Sequence, residues 1–314
     1  MFMPYLTKQD TVIPKRKSSS HKGDNGKVLV IGGSREYVGA VALAGLAAMR
    51  SGVDWVTVAA PEKVGWAINA LTPDLVVKKY KGDDFCASHA EDILKLEKGF
   101  DAVLIGNGIG MHAKSFVKKY VCESNKKLVI DADALKHISL DMVKEGILTP
   151  HSGELKALLE NSVKSLSINK KIINEIINKK SSIEKHGKLK ISLVEQNQRF
   201  CQQSIIIRKI LNNQKLKNKK IIILLKGPID AIISKDKIAY NKTGNAGMTK
   251  AGTGDVLAGL CVGFVGQGVD LFQAACNAAY FNGLAGDILL KKKKGFTYLA
   301  SDLTGEIKKL TLIK

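Results

Sequence analysis

Residues Gly244 to Gly268 read G-N-A-G-M-T-K-A-G-T-G-D-V-L-A-G-L-C-V-G-F-V-G-Q-G. The stretch opens as a glycine-dense loop and passes through Gly252-Thr253-Gly254-Asp255. It then becomes a small-residue apolar run that reads as a buried helix. Glycine lets backbone N–H groups approach a ligand, and a helix N-terminus carries partial positive charge. Together they make an anion site. An aspartate in the first turn is out of place beside an anion unless it takes a proton there. The stretch therefore reads as a phosphate cradle with a built-in base. A helix-cap role for Asp255 is the plainer alternative, but it leaves the glycines and the apolar run without a reason.

Outward from this loop, short apolar runs recur: Lys27 to Ile31, Trp55 to Ala59 before Pro61, Asp101 to Ile105, Leu128 to Asp131 and Ile221 to Leu225. Each reads as a strand, and helical stretches such as Val38 to Met49 lie between them. Glycine, acidic or lysine residues stand at or just past most strand ends: Gly32-Gly33-Ser34, Gly106-Asn107-Gly108-Ile109-Gly110, Asp131-Ala132-Asp133 and Lys226-Gly227. This is the pattern of an α/β protein with a largely parallel sheet, whose ligands bind beyond the C-terminal strand ends. Ile229 to Asn241 reads as a hairpin turning near Lys235-Asp236, and 253 to 266 and about 270 to 290 as two closing helices. Lys291 to Lys294 end the second, where the helix dipole favours cations without a partner.

Length allows one large domain or two small ones. The 314 residues are 45% hydrophobic and 25% charged, ordinary for a soluble globular protein. No apolar run approaches the roughly 20 residues of a membrane span, and the N-terminus lacks a signal-peptide layout. Five scattered cysteines without a C-x-x-C argue against a disulfide framework and a structural zinc site. The expectation is a cytoplasmic protein with reduced thiols.

The formal net charge of +20 raises the question of a nucleic-acid partner. Residues 155–220 carry 16 Lys and Arg against four Asp and Glu, a net of +12, in a segment rich in Ile, Lys and Asn. A solvated, compositionally biased face accounts for this better than a nucleic-acid surface, since no basic motif interleaved with aromatics is present. Lys170 to Lys180 and Gln202 to Leu211 look helical, with few signs of a core of their own. The segment is expected to be a basic surface insertion at about 161–220 within a single domain over 1–314.

Taken singly, the remaining motifs are ambiguous. Gly32-Gly33-Ser34 before Gly39-Ala40 lacks the G-x-G-x-x-G spacing, and a tight turn explains it as well as a cofactor does. The glycines of 106–110 permit either a turn or the approach of a flat ring. His151 suits a hydrogen-bonding loop residue, and Glu154 a helix-start charge. Lys226, at a strand's C-terminal end, faces the crevice in this architecture. No Walker spacing is present, so phosphoryl transfer here needs another cradle and base.

In order, H-K-G-D-N-G-K-V-L-V-I-G-G-S (21–34), I-G-N-G-I-G (105–110), D-A-D-A-L (131–135), L-T-P-H-S-G-E (148–154), L-K-G (225–227) and T-G-N-A-G-M with G-T-G-D-V-L-A-G (243–259) resemble the nucleotide-dependent NAD(P)H-hydrate dehydratases. The resemblance covers about residue 21 to the C-terminus. It implies a three-layer α/β/α ribokinase-like fold with a central, mostly parallel sheet. The activity it implies is ADP- or ATP-dependent conversion of the S epimer of hydrated NADH or NADPH to the reduced cofactor. The hydrate's hydroxyl is phosphorylated first, because hydroxide is a poor leaving group.

Carried over by position, the resemblance makes Asp255 the base, also touching the hydrated ring. It gives the hydrated cofactor Ala40, Gly108 and His151. It assigns Lys226, Gly227, Pro228, Ile229, Asp230, Asn245, Gly247, Met248, Gly252, Thr253 and Gly254 to the adenine nucleotide, with Gly252 to Gly254 as the anion hole. Glu154 would order Mg²⁺ through water. A homo-oligomer, tetrameric in family members, is implied as well, with no nucleic-acid or membrane partner.

Three features depart from the pattern. Ala246 replaces a usual proline. Lys250 adds a charge that either reaches a phosphate or points outward. The insertion lengthens the path from His151 to Lys226. With about twenty residues before the matching region, the epimerase domain of many microbial members is expected on a separate chain or not at all. The same superfamily supports an alternative, a thiazole- or pyrimidine-type small-molecule kinase whose product keeps the phosphate.

Overall fold

The computed structural model describes residues 3–177 and 193–310. Nine strands form one sheet: β1 Lys27–Ile31, β2 Trp55–Pro61, β3 Val76–Tyr80, β4 Ala102–Ile105, β5 Lys127–Ile130, β6 Glu145–Leu148, β7 Lys220–Leu225, β8 Asp230–Ile233 and β9 Ile238–Asn241. Their order is β3-β2-β1-β4-β5-β6-β7-β8-β9. The strands from β3 across to β7 are parallel, and β8 and β9 add an antiparallel hairpin at one edge. From β1 the chain first builds toward β3, then returns to β4 on the other side. That reversal of strand order leaves a crevice between β1 and β4, at their C-terminal ends.

The helices are α1 Gly39–Arg50, α2 Glu62–Leu71, α3 His89–Leu96, α4 Lys114–Glu123, α5 Ser152–Leu166, α6 Lys170–Ile177, α7 Leu193–Leu211, α8 Thr253–Gly266, α9 Leu271–Lys292 and α10 Ala300–Leu310. Alternation along the strands divides the core by face. Val28 and Val30 of β1 join the side chains of α1, α8, α9 and α10, whereas Leu29 and Ile31 join those of α3, α4 and α5. The result is the three-layer α/β/α arrangement with a mostly parallel sheet. Helix α8 is buried almost all round, as its unbroken apolar composition requires. It lies against α1 so closely that a methyl on Gly259 would sit 2.2 Å from the Ala44 carbonyl oxygen.

The basic segment differs from a purely surface elaboration. Helix α5 runs unbroken past residue 161 to Leu166 and stops where Ser167 turns left-handed at φ 55°. Ile173 and Ile176 of α6, with Cys201, Ile207, Ile210 and Leu211 of α7, are buried in the same core as Leu29 and Ile31. The segment's polar and basic composition hides this, because its apolar side chains are buried only once the sheet is present to receive them. The part of the insertion at 178–192 lies outside the described residues, as does the end of the expected helix Lys170 to Lys180. Ile207→Ala is expected to cost about 2–4 kcal/mol of stability, the usual loss for a fully buried aliphatic side chain. Chemical denaturation at fixed pH measures it, and a change within about 0.5 kcal/mol, the range of surface substitutions, would show that α7 folds apart from the sheet.

One lysine of the run ending α9 is partnered. Lys292 Nζ donates to Glu306 Oε1 of α10 at 2.6 Å. Among the described residues no helix is long and apolar enough to cross a membrane.

Candidate active site

Five strand ends and two helix starts converge at the crevice. Past β4, the chain turns through Gly106 at φ 128°, where a methyl group would lie 1.9 Å from the Asp131 carbonyl oxygen. Only glycine admits that approach, and it sets Asn107 beside the residue that ends β5. The Asn107 side chain is fully buried, and its Nδ2 donates both to Asp131 Oδ2 at 2.9 Å and to Asp255 Oδ1 at 2.7 Å. Asp131 Oδ1 accepts from the Thr149 hydroxyl past β6 at 2.7 Å and from Lys226 Nζ past β7 at 2.8 Å. Lys226 also lies 3.6 Å from Glu154 Oε2. Asp255, Lys226, Glu154 and His151, all expected from sequence, thus share one network. Asn107, Asp131 and Thr149, not among the expected site residues, join them.

His151 and Glu154 cap each other at the start of α5. His151 Nδ1 accepts from the Gly153 and Glu154 backbone N–H groups, and Glu154 Oε2 accepts from the His151 N–H at 2.9 Å. The capping role therefore holds for both, and the ring's Nε2 lies 3.4 Å from Glu154 Oε1, with the His151 side chain still 56% exposed. Gly108 faces α1, since a methyl there would fall 3.2 Å from Ala40 Cβ. Two of the positions expected to meet the hydrated cofactor, Ala40 and Gly108, thus lie side by side.

Gly252, held left-handed at φ 95°, is the N-cap of helix α8; the Thr253 N–H donates back to the Lys250 carbonyl at 3.4 Å, and the Gly254 N–H is among the helix-start donors without an intrahelical acceptor. A methyl on Gly254 would lie 3.4 Å from Lys226 Nζ, so the helix start and the lysine head border the same space. Thr253 Oγ1 is spent within the loop, donating to the carbonyls of Met248 and Lys250. The Asn245 side chain is likewise engaged, accepting from the Gly247 N–H and the Tyr298 hydroxyl and donating to Asp287. Beyond β7, Gly227, Pro228 and Ile229 form a turn whose Gly227 N–H donates to Asp230 Oδ1 at 3.1 Å. Burial pushes the Asp230 carboxyl up to about 6.

Lys250 takes neither of the two courses open to it from sequence. Its ammonium donates to the carbonyl oxygens of Phe296 and Tyr298, the latter at 2.6 Å, and stands over the Tyr298 ring. It fastens the glycine loop to the lead-in of α10. Lys250→Ala is expected to raise the nucleotide KM about 3- to 10-fold through a looser loop, with kcat within about twofold, the pattern of lost uniform binding. Equal falls in kcat and kcat/KM in steady-state kinetics would instead place Lys250 at the transferred phosphoryl group.

The charge balance of the crevice is negative. Among the described residues, Asp131, Glu154 and Asp255 surround one ammonium, Lys226. Burial raises the Asp255 carboxyl to about 6; the Asn107 hydrogen bond opposes this, and the nearby charge of Asp131 adds to it. Burial pulls Lys226 down, but Asp131 and Glu154 outweigh it and hold the ammonium above its ordinary value. No cluster of three His, Cys, Asp or Glu side chains among the described residues is arranged to grip a metal. Scattered carboxylate oxygens suit instead a hard cation that keeps most of its water and shares its remaining positions with phosphate.

The family model that matches, over residues 28–309, is described as NAD(P)H-hydrate dehydratase. The sequence is 37% identical, over 94% of the chain, to the bifunctional NAD(P)H-hydrate repair enzyme Nnr of Methanothermobacter thermautotrophicus, of which it covers 51%. The chain thus spans about half the length of the bifunctional relatives it matches. To the ADP-dependent (S)-NAD(P)H-hydrate dehydratase of Nitrosopumilus maritimus it is 32% identical, covering 94% of this chain and 91% of that one. Its fold superposes on the Bacillus subtilis ADP/ATP-dependent NAD(P)H-hydrate dehydratase, co-crystallised with ATP and Mg²⁺, with a TM-score of 0.73 at 25% identity, covering 99% and 98% of the two chains.

Proposed function

Since the chain belongs to the NAD(P)H-hydrate dehydratase family, we propose that it dehydrates the S epimer of hydrated NADH or NADPH, using ADP or ATP. The products are NAD(P)H, phosphate, and AMP or ADP. The observation that carries this reading is the setting of Asp255. One carboxylate oxygen is held by Asn107, and no group among the described residues donates to the other. The carboxylate sits in the first turn of α8, whose start borders the Lys226 ammonium.

In this reading the free oxygen of Asp255 accepts the proton of the hydrate's hydroxyl. That hydroxyl oxygen attacks the terminal phosphorus of the nucleotide, and the phosphorus–oxygen bond to AMP or ADP breaks. The N–H groups at the start of α8 and Lys226 bind the phosphoryl oxygens where charge accumulates. The ring nitrogen's lone pair then expels phosphate, and loss of a proton from the neighbouring carbon completes the double bond. Ala40, Gly108 and His151 line the hydrate's side. Lys226 to Asp230 and the loop from Asn245 to Gly254 line the nucleotide's side, with Gly247 and Met248 inside that loop.

Mg²⁺, held by Glu154 through water, would offset the charge of the phosphates in a crevice where carboxylates outnumber lysine. A homo-oligomer in the cytoplasm is part of the proposal; exposed Trp66, Leu71 and Val76 near the β3 edge of the sheet support self-association. An epimerase acting on the R hydrate would be a separate protein or a further segment.

The test is to incubate the protein with hydrated NADH, Mg²⁺ and either ADP or ATP, following reduced-nicotinamide absorbance and free phosphate. Recovery of both with one nucleotide supports the reading. No recovery with either sinks it, and a stable phosphorylated product would make the protein a kinase.

A further inference from the structure

The amide of Asn107 has one atom engaged twice and the other not at all. Its Nδ2 donates to two carboxylates, Asp131 Oδ2 and Asp255 Oδ1, while its Oδ1 is buried without a hydrogen-bond partner. A buried acceptor without a partner costs stability, and flipping the amide would not relieve it. The flip would set a carbonyl oxygen against two carboxylates, so the amide is locked with both hydrogens on the acids. The backbone is fixed as well, since the Gly33 N–H donates to the Asn107 carbonyl at 2.9 Å.

We propose that Asn107 is the positioning residue for the proton acceptor, a bridge that ties Asp255 to the end of β5 and leaves one oxygen of Asp255 for the reacting hydroxyl. This rests on the functional reading above for its reaction, though not for its geometry. Without the bridge, Asp255 and Asp131 would face each other as like charges, and nothing else among the described residues donates to Asp255. The groups that set the charge around Asp255 are Asp131 after β5, Lys226 after β7 and Glu154 on α5. Of these only Lys226 is a cation, and its hydrogen bond goes to Asp131 at 2.8 Å. The orphaned Oδ1 is the cost of an arrangement chosen for its donors.

Two substitutions test the bridge. Asn107→Ala removes both hydrogen bonds, and Asn107→Asp keeps the shape while replacing the donor with an acid. Loss of a hydrogen bond to a charged group corresponds to a fall in kcat of about 10- to 100-fold. Asn107→Asp should fall further, because it adds a like charge. In both, the nucleotide KM stays within about threefold, and the acidic limb of the kcat profile moves to higher pH, since the bond that favours ionised Asp255 is gone. In an Asp255→Asn background, Asn107→Ala should cause no further loss, because a residue acting only through Asp255 has nothing left to act on.

A kcat within threefold of wild type in Asn107→Ala overturns the proposal. So does an unmoved acidic limb, or a full additional loss in the double variant, each of which would mark a purely structural role. Carbon-13 NMR of the Asp255 carboxyl, assigned through Asp255→Asn, reads the same shift without turnover. If wild type fails to restore NADH, the functional reading falls, while the NMR titration still decides whether Asn107 holds Asp255.

Discussion

Asp255→Asn is expected to lower kcat by about 10²- to 10⁴-fold, the range supplied by a positioned general base, while the nucleotide dissociation constant stays within about threefold. In the proposed reading the nucleotide is bound by backbone N–H groups at the start of α8 and by Lys226, and none of these changes. The amide is close in shape to the acid, and its carbonyl oxygen can still accept from Asn107 Nδ2, so the network keeps its form. What it loses is the capacity to take a proton.

Stability should move the other way. The folded-state carboxyl titrates near 6, against an ordinary value of 3.8. The native state therefore binds this proton more tightly than the unfolded chain does. The stabilisation from the protonated form is fully present below about pH 4 and is lost as pH rises through 6. Asp255→Asn escapes that loss, and at pH 8 it should be more stable than wild type by about 1–2 kcal/mol after allowance for partial exposure. The advantage should close as pH falls to 4. The same carboxyl predicts that wild-type turnover falls below about pH 6. Near-normal turnover in the variant, or a melting temperature lowered at pH 8, would return Asp255 to the role of a helix-start charge.

How much of this site could be read from the chain depends on whether a residue's role is local. Strands β1, β4, β5 and β7 announce themselves because parallel strands buried on both faces are continuous apolar runs. Helix α8 begins and ends where composition placed it, between Gly252 and Gln267. Strand β3, V-V-K-K-Y, is invisible by the same rule. It is the outer strand and half exposed, so lysines are tolerated on it. Helix α7 is legible in part, since Gln202 to Leu211 look helical, but its burial is hidden: the apolar side that buries Ile207 is set among polar residues and has no meaning until β8 and the rest of the sheet are in place. Asn107 and Asp131 stood in plain view, each just past an apolar run. Their partnership comes from the β4–β5 pairing and from the entry of α8 above it, which no spacing in the sequence encodes. Lys250 shows the converse: its charge left phosphate and solvent both open, and only the path of Phe296 to Tyr298 reveals that carbonyl oxygens claim it.

Lys226→Met should show how far the crevice depends on its one cation. The side chain is 19% exposed, against 2% for Asp131 and 7% for Glu154, and methionine matches its length without its charge. Removing one member of a buried ion pair leaves the other uncompensated, at a cost of about 3–5 kcal/mol. Here Asp131 keeps the Thr149 hydroxyl and the Asn107 amide as donors, so about 3 kcal/mol is expected at pH 8. The deficit should shrink toward pH 5, because Asp255, whose carboxyl burial raises to about 6, takes up a proton and lowers the negative charge left without a cation. Lys226 also favours ionised Asp255, so the acidic limb of any remaining turnover should move above 6. Nucleotide affinity should fall about 10- to 100-fold, since the ammonium borders the start of α8 where phosphate would be bound. Lys226→Arg separates the two effects. It restores the charge and most of the stability, but its wider planar head cannot occupy the same point between Asp131 and Gly254, so turnover stays low. Denaturation curves at pH 5 and 8 and nucleotide titration calorimetry decide the matter. A methionine variant as stable as wild type at pH 8, with affinity unchanged, would mean that the carboxylates share their charge with solvent and that phosphate is held by the helix start alone.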